Sequence, residues 1–93
     1  MDITIQRDEA GSRFVADVGG QVAELRYSER DANTLDFHHT FVPAELRGGG
    51  VAGALAAYAL DWARASGQKV MPSCPYVAAY LRRHPEYADL VAP

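Results

Sequence analysis

Cysteine is almost missing from this chain: Cys74 stands alone among 93 residues. No internal disulfide can form, which excludes a disulfide scaffold and fits a reducing compartment with one free thiol. Basic residues are also scarce. Nine Lys and Arg against 12 Asp and Glu leave a net charge of −3, which argues against non-specific binding to nucleic acid. No apolar run approaches the ~18 residues that a membrane span requires. Met1-Asp2-Ile3-Thr4 lacks the basic start and apolar stretch of a signal peptide, so a cytoplasmic protein is expected. Linkers, repeats and low-complexity tracts are absent as well. Residues 1–93 therefore read as a single domain, whose 48% hydrophobic content suffices for one modest core.

What is present divides into two halves. The first alternates at the period of a strand. Ile3 and Ile5 begin it; Phe14, Ala16 and Val18 share a face within Arg13 to Val18; Ala23, Leu25 and Tyr27 share one within Val22 to Tyr27. Gly19-Gly20 between them is a hairpin signal. Ser28 to Asn33 is polar and turn-like. Thr34 to Val42 is the longest strand, with Leu35, Phe37, His39 and Phe41 on one side and Asp36, His38 and Thr40 on the other. Pro43 ends it.

The second half changes period. Val51, Leu55, Ala59, Trp62 and Ala63 recur at helical spacing, widened by Ala52 and Ala56. Alanines favour a helix over Val51 to Ala65 and let it approach a sheet closely. Gly67 is a natural stop. Lys69 to Cys74 reads as a fifth strand, parallel to the fourth through a right-handed crossover. Pro75 can open a second helix through Arg83, Pro85 ends it, and Glu86 to Pro93 is a short tail. The expected fold is α+β: a twisted, mostly antiparallel sheet of about five strands, one parallel β-α-β unit and two helices.

Between the fourth strand and the first helix stands Arg47-Gly48-Gly49-Gly50-Val51-Ala52. Amides at a helix start have no partner within the helix, and the helix dipole favours negative charge there. Glycines let the backbone approach a ligand, and Arg47 adds a fork of donors for phosphate oxygens. A phosphate-bearing cofactor is the expected ligand. The lack of a following Gly-Lys-Ser/Thr argues against a P-loop, and the small number of parallel strands argues against a dinucleotide fold.

Arg47-x-x-Gly50-x-Ala52 matches the pyrophosphate motif of the GNAT acetyltransferase superfamily, Gln/Arg-x-x-Gly-x-Gly/Ala. His39-Thr40-Phe41-Val42-Pro43, Pro72-Ser73-Cys74-x-Tyr76-Val77 and His84-Pro85-Glu86-Tyr87 follow in the order of a small GNAT-like family. From Thr34 to Tyr87 the chain resembles these minimal, single-domain N-acetyltransferases with a Pro-Ser-Cys motif. The resemblance implies an acetyl-CoA site between two parallel strands that splay at their carboxyl ends. It places the pantetheine arm along the backbone of Phe41 and Val42. It places the pyrophosphate on Arg47, Gly48, Gly49, Gly50, Val51 and Ala52, with Ser73 and Tyr76 lining the cleft. It also implies acetyl transfer to an unidentified amine. A full GNAT domain has two helices between its first strands that help build the acceptor site; this chain has only short loops there. A non-catalytic CoA- or acyl-CoA-binding module is the alternative.

Three side chains are candidates for catalysis. Cys74 is either a small buried hydrophobe or, at the start of a helix that favours thiolate, a nucleophile facing the thioester. His39 is either a packed histidine or a general base and partner for Cys74. Tyr76 and Tyr80, four apart on one helix face, divide between core packing and a phenol that protonates the leaving CoA thiolate; the resemblance favours Tyr80. Arg82, Arg83 and His84 form a basic cluster that either suits a solvated helix end or attracts the adenosine phosphate of CoA, the first being preferred. No metal site is expected, since His38 and His39 point to opposite faces. No nucleic-acid or membrane partner is expected, and the exposed sheet edges allow a monomer or a weak homodimer.

Overall fold

The computed structural model describes residues 3–93; the reading of Met1 and Asp2 lies outside them. Four strands, β1 (Thr4–Asp8), β2 (Arg13–Val18), β3 (Gln21–Asp31) and β4 (Thr34–Phe41), pair antiparallel in chain order. Gly19 and Gly20 both take positive φ at the β2–β3 turn, the conformation that a tight hairpin demands. Helix α1 (Val51–Ala65) then crosses to β5 (Lys69–Met71), which runs parallel to β4. Helix α2 (Pro75–Arg83) follows, with Pro75 in its first turn. The sheet is five-stranded and open, in the order β1-β2-β3-β4-β5. No helix among the described residues is long and apolar enough to cross a membrane.

One face of the sheet makes the core. Phe14, Ala16, Ala23, Leu25, Tyr27, Leu35, Phe37 and Val70 are buried against Val51, Leu55, Ala59, Leu60 and Ala63 of α1. The alanine stripe permits this close seat, so aromatic bulk comes from the sheet. The Phe14 ring stands 5.3 Å from Tyr27, 6.2 Å from Phe37 and 5.8 Å from Trp62. Tilted and edge-on contacts of this kind add to simple burial. Arg7 stacks its guanidinium 4.2 Å from the Trp62 ring centroid, closing the β1 side. Val77 and Leu81 carry α2 into the same core.

The opposite face is open. Asp17, Arg26, Ser28, His38, His39 and Phe41 are exposed there, and Arg13 and Arg26 lace it together through Glu24.

Four expectations need correction. β5 stops at Met71 rather than Cys74, because Pro72 has no amide to donate and the chain turns away. β3 runs on to Asp31 through residues read as a turn; only Ala32 and Asn33 remain between β3 and β4. The supposed tail is structured: Pro85–Leu90 is a 3₁₀ helix that buries Leu90, and Val91 bridges in parallel to Val70. The fourth correction bears on the site. Tyr27 pairs with Phe37 but Arg26 pairs with His39, so His38 is an extra residue in β4. A bulge of this kind resets the alternation of side chains. Beyond it, Thr40 lies opposite buried Leu25, on the core side. His39 and Phe41 lie opposite Arg26 and Glu24, on the open side. His39 therefore does not share the apolar face of Leu35 and Phe37.

Candidate active site

β4 and β5 part company at their carboxyl ends. The last ladder pair is Asp36↔Met71, and one further bond, from the Cys74 amide to the Phe37 carbonyl at 2.8 Å, ties α2 to β4. β4 continues to Phe41, so its final residues run past the end of β5. The cause is local: Pro72 breaks β5 on one side while the His38 bulge twists β4 on the other.

At the mouth of this gap lies a hollow of about 300 Å³. Val42, Leu46, Arg47, Gly48, Gly50 and Val51 line it from the loop, with Ala52, Gly53 and Tyr76 from the two helices. A 3₁₀ turn, Ala44–Leu46, presses Leu46 into the core and sets the loop over it. Gly48 and Gly50 sit at φ +84 and +82, a conformation that costs any other residue backbone strain. Gly50 is the N-cap of α1, and that helix has no acidic residue in its first turn.

The amides of the loop divide into two groups. Arg47 donates to the Ala44 carbonyl and Gly49 to the Leu46 carbonyl, both at 3.3 Å. The first bond of α1 is Ala54 to Gly50. The amides of Gly48, Gly50, Val51, Ala52 and Gly53 find no acceptor among the described residues. Five free donors at the positive end of a helix form an anion cradle. Of the six loop residues expected there, Gly48, Gly50, Val51 and Ala52 offer free amides, whereas those of Arg47 and Gly49 are turned inward. The Arg47 side chain also differs from expectation: its Nε donates to the Val42 carbonyl at 3.1 Å. It clamps the loop to the end of β4 and occupies one carbonyl expected to face the pantetheine arm.

Cys74 is buried at 4% exposure and is the N-cap of α2, as its place in the sequence implied. Its Sγ lies 3.4 Å from Thr40 Oγ1. Thr40 reaches it only because the bulge turned Thr40 inward; strict alternation hid this contact. Ser73 is exposed in the turn between Pro72 and Cys74. His39 and Phe41 flank the gap on the open face, with Phe41 46% exposed.

The two tyrosines of α2 separate in position. Tyr76 lines the hollow. A Cβ added to Gly53 would meet the Tyr76 hydroxyl at 3.7 Å and the Tyr80 ring at 3.9 Å, ordinary contacts, so both phenols of α2 pack against this first turn of α1. Tyr80 lies one turn further, 6.4 Å from Tyr76 between ring centroids and stacked on His84 at 4.0 Å. Burial raises the pKa of both phenols, so both keep their proton at neutral pH. Tyr87 is pushed up to about 12 by burial and by the bond its hydroxyl donates to Asp61. Gly53, Leu46 and Thr40 belong to this site and were missed. Gly53 carried a signal, the lone glycine in an alanine-rich helix; Thr40 carried none.

Residues 13–90 match the family model of the GCN5-related N-acetyl-transferases, and the chain belongs to that family. Protein NATD1 of Xenopus tropicalis and Protein NATD1 of Homo sapiens are each 30% identical to it over 95 residues. These matches cover 98% of this chain and 87% and 84% of the relatives. The solution structure of a GCN5-like protein from Staphylococcus aureus superposes with a TM-score of 0.75 at 27% identity, over 96% of this chain and 87% of the other. The sheet with its parallel β4-α1-β5 unit is thus the GCN5-like N-acetyltransferase fold, an architecture generally associated with acyl transfer from acetyl-CoA.

Proposed function

We propose that this protein binds acetyl-CoA and transfers its acetyl group to an amine. The free amides of Gly48, Gly50, Val51, Ala52 and Gly53 around the hollow carry this reading. They would hold the diphosphate, with the pantetheine arm along the end of β4 and the thioester in the gap between β4 and Cys74. In direct transfer the amine nitrogen attacks the thioester carbon and the C–S bond breaks. The amine gives up a proton to a base on the open face, for which His39 is placed, and the departing thiolate takes one from a phenol. Tyr76 lines the hollow and takes that second role; Tyr80 supports it by packing. A covalent route would pass the acetyl group first to the Cys74 sulfur, its thiol proton leaving to a base and CoA thiolate departing, and then to the amine.

A second reading, a CoA-binding module without catalysis, has a specific observation behind it. Cys74 is nearly closed to solvent and the acceptor side has no helical wall. Mass spectrometry after mixing with acetyl-CoA separates the routes. A gain of about 42 Da on Cys74, absent in Cys74→Ala, supports the covalent route. Release of free CoA thiol on adding amines, without that adduct, supports direct transfer. CoA binding with neither signal establishes the module, and no CoA binding removes both readings.

A further inference from the structure

The bulge in β4 puts a hydroxyl where packing alone would place a hydrocarbon. Tyr27 pairs with Phe37 and Arg26 with His39, so the extra residue, His38, turns Thr40 to the core side, opposite buried Leu25. There Thr40 Oγ1 lies 3.4 Å from Cys74 Sγ. Valine has nearly the same shape, suits a strand as well and has no polar atom to desolvate. Packing therefore gives no reason for a threonine at this position. Bulges next to a site re-aim a side chain. The side chain re-aimed here is Thr40, and its target is the sulfur.

Among the described residues the pairing is exclusive. Thr40 Oγ1 and Cys74 Sγ are each other's only side-chain partner, and Cys74, although the N-cap of α2, makes no side-chain bond to the amides of its own helix. His39, expected to serve the thiol, lies on the open side instead. A hydroxyl carries one donor and two acceptor lone pairs, and its proton turns freely. Thr40 can accept from the thiol and, once the sulfur is charged, turn and donate to it, with no heavy atom moving. A hydrogen bond to a charged acceptor is about twice as strong as a neutral one. The contact therefore strengthens as negative charge builds on the sulfur.

We infer that Thr40 is the positioning residue of Cys74: its hydroxyl holds the sulfur at the end of β4 and supports the charge that the sulfur carries as it attacks. In the covalent route the Cys74 sulfur bonds to the thioester carbon and the bond from that carbon to the CoA sulfur breaks. The proton lost by Cys74 is balanced by the one that the departing CoA thiolate takes up. The inference rests on that route for the identity of the electrophile, but the reactivity it assigns to the sulfur can be read without CoA.

The test is the rate at which iodoacetamide alkylates Cys74 in the native protein, followed by mass spectrometry. The chain has no other cysteine, so the mass gain reports this site. Thr40→Val keeps the shape and removes the hydroxyl, and should react at least about tenfold more slowly than wild type at neutral pH. Thr40→Ser keeps the hydroxyl and should restore the rate to within about threefold. A hydroxyl that served only to hold the fold would give the opposite sign: its loss would loosen the packing around a buried thiol and speed the labelling. Labelling of Thr40→Val as fast as wild type or faster, or of Thr40→Ser as slow as Thr40→Val, would overturn the inference. So would a native wild type that iodoacetamide leaves untouched while the unfolded chain reacts, because a sulfur held for attack must be reachable. Should Thr40→Val not fold, Thr40→Ala carries the same expectation. If acetyl-CoA leaves no adduct on wild type while alkylation shows the dependence on Thr40, the covalent route alone falls.

Discussion

Gly50→Glu should lose CoA binding by at least about 100-fold, equivalent to about 2.7 kcal/mol. Nothing lies within 4 Å of a Cβ built at Gly50, so the new side chain projects into open space at the loop. Its carboxylate would stand beside the free amides and repel a diphosphate that they otherwise attract. The positive φ of 82 makes any side chain strained here, costing about 1–2 kcal/mol of stability. Gly50→Ala carries the same strain without the charge and isolates it. Calorimetric titration should show Gly50→Ala binding CoA within about tenfold of wild type and Gly50→Glu giving no heat at millimolar ligand. Equal losses in the two variants would mean that loop strain, not charge, governs the site.

Tyr76→Phe is the second large effect. Removing a positioned general acid lowers turnover by about 100-fold or more. The ring itself remains as part of the lining of the hollow, so KM for acetyl-CoA should stay within about threefold. Tyr80→Phe should fall by less than about tenfold, because Tyr80 stacks on His84 and does not line the hollow. Burial holds the Tyr76 phenol above its ordinary 10.0, and an acid works only while protonated. Wild-type kcat should therefore decline only above about pH 10, and Tyr76→Phe should lose that alkaline limb. Release of CoA thiol, followed with an amine that the protein accepts, measures both. A larger loss in Tyr80→Phe than in Tyr76→Phe would return the acid role to Tyr80, as the family resemblance first implied.

The sequence makes the scaffold legible because its signals are local. Gly19-Gly20 marks the hairpin, Gly67 and Pro75 bound the helices, and the alanine stripe gives the face of α1. The glycine loop is legible for the same reason: three glycines after a strand announce a helix start with free amides. Its internal division was not. Whether the Arg47 and Gly49 amides face a ligand or the Ala44–Leu46 turn depends on dihedral angles that three identical residues do not reveal. The bulge at His38 was equally hidden. In Asp36-Phe37-His38-His39-Thr40 no apolar residue after Phe37 reports the change of face until Phe41, and Phe41 is itself exposed. One inserted residue thus moved His39 to the open side and brought Thr40 to Cys74. The end of β5 was misjudged because Val70 and Met71 continue smoothly into Pro72, whose effect is to remove a donor. The 3₁₀ helix at Pro85–Leu90 has one buried apolar residue, Leu90, too few to set a period.

Amide chemical shifts on titration with CoA test the cradle most directly. Gly48, Gly50, Val51, Ala52 and Gly53 should move together and saturate, while the amides of Arg47 and Gly49, already bonded to the chain, move least. A uniform response across the whole loop, or none at millimolar CoA, would contradict the assignment of these five donors to a diphosphate.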